Sequence, residues 1–140
     1  LSSLNNLLRK KLFFKRRNMS KRILVVDDNE TIRFLIKEII VLAMGYEVVL
    51  ASNPKEAIKI IGEKHIDLVI TDRNMPWMLG EELVRHIKFN CPEIKVIFVS
   101  SAMTPEIEKV ALTAGADVVM DKSKFIHIET TKFTINKLLS

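Results

Sequence analysis

From residue 22 onward, apolar and polar positions repeat in one order. A short β-branched apolar run is followed by a polar or Gly-containing break and then by a stretch with apolar residues at helical spacing. This predicts strands over 22–26, 47–51, 67–71, 95–100 and 117–120. Three of the runs, "ILVV", "LVI" and "VIFV", are apolar without alternation, as a sheet covered on both faces requires. Helices are predicted near 30–43, 54–61, 80–89, 105–114 and 126–139. "NPKE" at 53–56 offers an Asn cap, a Pro at the first helical position and a Glu at the third. "TPE" at 104–106 repeats the signal with Thr, and Gly45, Gly62 and Gly115 fall just past predicted helix ends. Five βα units in alternation specify an α/β fold, an open parallel sheet with helices on both faces.

That architecture directs attention to the carboxyl ends of the strands, where open parallel sheets place their ligands. The first strand leads into Asp27 and Asp28, the third into Asp72, the fourth into Ser100 and Ser101, and the fifth into Asp121 and Lys122. Singly, each has an ordinary role: acids near a helix start, a turn residue, a strand-end cap, a solvated charge. Their joint placement points elsewhere. Clustered carboxylates repel one another, and a hard divalent cation relieves the repulsion. With oxygen donors alone, no histidine and room for water, the set favours Mg²⁺ or Mn²⁺ over zinc. Mg²⁺ held by one or two carboxylates normally works on phosphate. Asp72 is then placed to act as a nucleophile, with Lys122 neutralising the transferred group and Ser100 hydrogen-bonding to it.

"ILVVDDNE" (23–30), "DLVITDRNMPWMLGEEL" (67–83), "VIFVSS" (96–101) and "AGADVVMDK" (114–122) together resemble the receiver domain of bacterial two-component response regulators, over about residues 21–139. The resemblance implies a flavodoxin-like, doubly wound sheet in the order 2-1-3-4-5. It implies that Asp72 accepts phosphate from a sensor histidine kinase or phosphotransfer protein. Asp28 and Asp72 would ligate Mg²⁺ directly, Asp27 largely through water and Asn74 through its main-chain carbonyl. Lys122 would bind the phosphoryl group and Ser100 would be the switch hydroxyl. The face formed by the fourth helix, fifth strand and fifth helix would then change for a downstream protein, in a stand-alone, cytoplasmic, chemotaxis-regulator-like module rather than an enzyme with turnover.

Two positions depart from the family pattern. Val119 stands where the family often has Tyr or Phe, and it is too small for a ring-coupled switch. Lys122 is followed by Ser123 rather than by a proline in a cis peptide; a non-proline cis bond costs about 2.5–4 kcal/mol, so a trans bond is expected. The resemblance also implies that Asn74 and Ala102 stand at positions that influence dephosphorylation; Ala102 cannot orient a water by hydrogen bonding, so a fairly long-lived phosphate is expected. Two other functions fit parts of the same pattern. One is a receiver-like interaction module that is never phosphorylated. The other is an aspartate-nucleophile phosphatase of the haloacid-dehalogenase type, against which Asn29 in "DDNET" replaces the proton-donating Asp.

Composition changes the picture at one end of the chain. The net charge of +5 arises because eight of the 22 basic residues precede Ile23 and no acid does. The remainder carries fourteen basic and seventeen acidic residues, so the body is mildly acidic, nothing in it reads as a nucleic-acid surface, and direct nucleic-acid binding is not expected. Residues 1–20 form a basic extension, expected to be disordered or non-native because Met19 before "SKRILVVDD" reads as a natural start. Leu4, Leu8 and Leu12 share a helical face there, a pattern open to a membrane-surface or partner-binding helix, although membrane contact by the extension is not expected. One cysteine, Cys91, excludes an internal disulfide and makes a reducing compartment the default. His65, His86 and His127 read as structural. Trp77 reads either as an exposed partner contact or as a cover for its loop.

Overall fold

The computed structural model describes residues 3–9 and 21–140. Five strands, β1 (Arg22–Val26), β2 (Glu47–Ala51), β3 (Leu68–Asp72), β4 (Lys95–Ser100) and β5 (Val118–Asp121), alternate with five helices. The helices are α1 (Glu30–Met44), α2 (Pro54–Glu63), α3 (Gly80–Asn90), α4 (Pro105–Ala114) and α5 (Ile128–Leu139). All neighbouring strands pair in parallel, and the sheet order is β2-β1-β3-β4-β5.

Alternate residues of each strand enter different cores. Leu24, Val26, Val69, Val96 and Phe98 pack with Ala57 of α2, Leu83, Val84 and Ile87 of α3, and Ala111 of α4. Ile23, Val25, Leu68, Ile70, Ile97 and Val99 face the other way, toward Ile36 and Ile40 of α1 and Ile135 of α5. Burying each such side chain contributes about 1.5–3 kcal/mol, so a shift of pairing register is strongly disfavoured. The three central strands are buried on both faces, which is why their sequences do not alternate.

Local chemistry fixes the boundaries. The side chains of Asn29, Asn53 and Thr104 accept from the amides of Ile32, Glu56 and Ile107 and cap α1, α2 and α4, and Pro54 and Pro105 follow two of these caps. Gly45 and Gly115 close α1 and α4 with positive φ, 70° and 114°. Gly62 differs from expectation: it lies inside α2, which ends at Lys64 in extended backbone. β3 begins at Leu68, one residue later than the pattern suggests; the Asp67 amide donates to the Arg22 carbonyl at 2.9 Å while its side chain accepts from the Arg22 amide at 2.8 Å. A 3₁₀ turn, Lys122–Ile126, separates β5 from α5, which therefore starts at Ile128 rather than 126.

Residues 3–9 are helical, with Leu4, Leu7 and Leu8 about half exposed; Leu12 and most of the basic cluster lie outside the described residues. No helix among the described residues is long and apolar enough to cross a membrane.

Candidate functional site

Strand pairing brings the sequence-predicted groups to one edge. Val26 pairs with Thr71, so the next residues, Asp27 and Asp72, stand level on adjacent strands. Asp72 pairs with Val99, which sets Ser100 one position further along β4, and Ser100 pairs with Asp121. Carboxylate oxygens of Asp27, Asp28 and Asp72 lie within 4.8 Å of one another. Asp27 and Asp72 are buried, at 1% and 6% exposure, whereas Asp28 is exposed. Lys122 closes the group, its Nζ 2.6 Å from Asp27 Oδ2 and 3.3 Å from Asp72 Oδ1. Asn74 is exposed in the loop after β3.

The acidic pair does not cap the first helix, because Asn29 does. The same bond commits the side chain at the position where a phosphatase of the haloacid-dehalogenase type would need its proton donor. Asp27 instead uses its carboxylate inside the site: Oδ1 accepts from the Asn29 amide at 2.9 Å while Oδ2 meets Lys122. The Asp27 carbonyl accepts from Arg33 Nη1 at 2.7 Å, which ties α1 to the end of β1.

Burial raises the Asp72 carboxyl above the ordinary range, the Asp27 charge pushes in the same direction, and Lys122 only partly offsets them. For Lys122, burial alone would favour the neutral amine, but Asp27 and Asp72 together hold it above its usual value. Three carboxylates against one ammonium leave two uncompensated negative charges among oxygen donors. Charge and donor set both fit a hard divalent cation, with the exposed Asp28 leaving room for water.

The backbone around Asp72 is tightly enclosed. A Cβ on Gly80 would collide with the Asp72 carbonyl oxygen and lie 2.9 Å from Arg73 Cα, so the turn into α3 admits no side chain there. The Gly80 amide donates to the Arg73 carbonyl at 2.8 Å, and the Arg73 guanidinium contacts the buried Glu81 carboxylate at 3.3 Å. Sequence reasoning did not single out Arg33 or the Arg73–Glu81 pair. Only the quoted run that contains Gly80 signalled that this turn is special.

Trp77 does not cover its loop: it is 85% exposed and adopts φ 71°, an uncommon conformation for a bulky residue. Val119 packs, half-buried, against the core on the α4 side of the sheet. All described peptide bonds are trans, Lys122–Ser123 included, as the serine predicts. His65 pairs with Asp67, and all three histidines are exposed and away from the acidic cluster.

The family described as response regulator receiver domain matches residues 23–129. Among curated proteins, the chain is 37% identical over 99 residues to the chemotaxis protein CheY of Thermotoga maritima, covering 70% of this chain and 82% of that protein. It is 36% identical over 104 residues to the uncharacterised transcriptional regulatory protein YrkP of Bacillus subtilis, covering 74% of this chain but only 44% of that protein. Among solved structures, the response regulator TrrA of Thermotoga maritima in complex with Mg²⁺ and BeF is similar, with a TM-score of 0.75 and 35% identity. That likeness covers 85% of this chain and 99% of the other.

Proposed function

Because the chain belongs to the response regulator receiver domain family, we propose that it is a regulatory phosphoacceptor in which Asp72 takes a phosphoryl group from a histidine kinase or phosphotransfer protein. The observation that carries this reading is the buried Asp72 carboxylate beside Asp27, Asp28 and Lys122. An Asp72 carboxylate oxygen attacks the phosphorus of the donor's phosphohistidine. The new O–P bond forms as the P–N bond breaks, and the imidazole leaves with the electron pair.

Lys122, held between Asp27 and Asp72, offsets charge on the phosphoryl oxygens, and the buried Ser100 hydroxyl donates to one of them. Mg²⁺ or Mn²⁺, when bound by Asp28, Asp72 and the Asn74 main-chain carbonyl with Asp27 acting through water, supplies further charge neutralisation at those oxygens. The product stays on Asp72, so the role is regulation rather than turnover. The phosphoryl group adds charge and three acceptor oxygens, and movement of Ser100 and the backbone behind it toward them alters the face of α4, β5 and α5 for a downstream protein. Residues 21–140 form the receiver domain in this reading and residues 1–20 a basic extension.

The metal assignment makes the two neighbouring aspartates unequal. In a Mg²⁺ titration followed by amide NMR, Asp28→Asn is expected to weaken binding by roughly 10-fold or more, and Asp27→Asn by less. Equal losses, or no Mg²⁺ response in the parent protein, would contradict the assignment.

A further inference from the structure

Lys122 is carried by the 3₁₀ turn that follows β5, and that turn is anchored at both ends. The Asp121 carboxylate reaches across Lys122: its Oδ1 accepts from the Ser123 amide at 2.9 Å and from the Ser123 hydroxyl at 2.7 Å. These bonds hold Asp121 Oδ1 below the usual carboxylate range. Asp121 thereby caps the 3₁₀ turn, whose first residue is Lys122, through the Ser123 amide. The far end is fixed as well. Phe125 is buried in the core on the α1 side of the sheet, and its carbonyl accepts from the buried Thr131 hydroxyl at 2.9 Å. Asp121 also pairs with Ser100 across the sheet, so the anchor joins two site residues. It lies outside the group of carboxylates able to share a metal, which consists of Asp27, Asp28 and Asp72 among the described residues.

We propose that Asp121 and Ser123 form a clamp that positions Lys122, aiming its ammonium at Asp27 and Asp72 through an all-trans turn. As a statement about the phosphoryl step it rests on the acceptor reading above; as a statement about Lys122 placement it does not. Asp121 and Ser123 are positioning residues, and neither needs to touch the transferred group.

The test compares Asp121→Ala, which removes the acceptor, with Asp121→Asn, which keeps one, and with Ser123→Ala, which keeps the amide but loses the hydroxyl. The first readout needs no phosphorylation: the ¹⁵N-edited signal of the Lys122 ammonium in metal-free protein, which is slowed in exchange only while the ion pair holds. That signal should be lost in Asp121→Ala, be weakened in Ser123→Ala and persist in Asp121→Asn.

The second readout is the rate of phosphoryl uptake from acetyl phosphate with Mg²⁺. It should fall about 10-fold in Asp121→Ala and recover in Asp121→Asn, with Mg²⁺ affinity within about 2-fold of the parent. In a Lys122→Ala background, Asp121→Ala should cause no further loss, since the clamp acts only through that lysine. An unchanged ammonium signal in Asp121→Ala, or additive losses in the double variant, would overturn the proposal. A parent protein that takes up no phosphate would overturn the acceptor reading, while the ammonium signal would still decide the clamp.

Discussion

The Asp72 charge is disfavoured where it stands, because burial and the Asp27 carboxylate oppose its ionised form more than Lys122 favours it. Relative to an unfolded chain, the folded protein binds the Asp72 proton more tightly. The stability linked to that proton is therefore complete below the ordinary carboxylate range and is lost as pH rises through the elevated folded value. Asp72→Asn removes the loss. Without divalent cations at pH 7, its thermal midpoint is expected to rise by roughly 2–5 °C, and the gain should shrink toward zero as pH falls below about 4. A lower midpoint in the variant would show that Asp72 is satisfied rather than strained. Asp27, Asp28, Asp72, Ser100 and Lys122 were legible in the sequence because each follows an apolar run that ends at the same sheet edge. Their pairing was not. That Lys122 lies closer to Asp27 than to Asp72, and that Arg33 reaches the Asp27 carbonyl, depends on turn geometry and side-chain reach, which hydrophobic periodicity does not encode.

Among the elements, the turn from β3 into α3 carries the strictest constraint, since Gly80 rests against the backbone of Asp72 and Arg73. Gly80→Ala would force that backbone apart. A loss of about 1–3 kcal/mol is expected in urea unfolding, together with slower phosphoryl uptake because Asp72 shifts. An unchanged urea midpoint would show that the turn yields freely. The strands and most helix starts could be read from the chain because their signals are local: unalternated apolar runs and the Asn-Pro and Thr-Pro caps. Several boundaries fell elsewhere, β5 among them, which runs over Val118–Asp121 rather than 117–120. Gly62 resembles a helix stop, yet α2 runs through it to Glu63 in an ordinary helical conformation. β3 starts at Leu68, although Asp67 bonds through both its amide and its side chain to Arg22 of the neighbouring β1. The segment after Lys122 has helical spacing, but the Asp121 cap and the buried Phe125 give it a separate 3₁₀ turn. In the last case the core that buries Phe125 lies outside the local pattern.

On the scale of the molecule, two cores account for the folded body, and every residue that forms them lies at Ile23 or beyond among the described residues. The basic excess sits before that point, so the mildly acidic body is electrostatically distinct from the charge of the whole chain. Removing residues 1–20 is expected to leave the thermal midpoint within about 2 °C of the parent, measured by circular dichroism. A larger drop would place the extension in the body's packing. The central claim is that one carboxylate among three accepts phosphate, and intact-mass spectrometry after acetyl phosphate treatment tests it most directly. With Mg²⁺, the parent protein and Asp121→Asn should each gain about 80 Da, and Asp72→Ala should gain nothing. The same gain by Asp72→Ala, or none by the parent, would contradict the account.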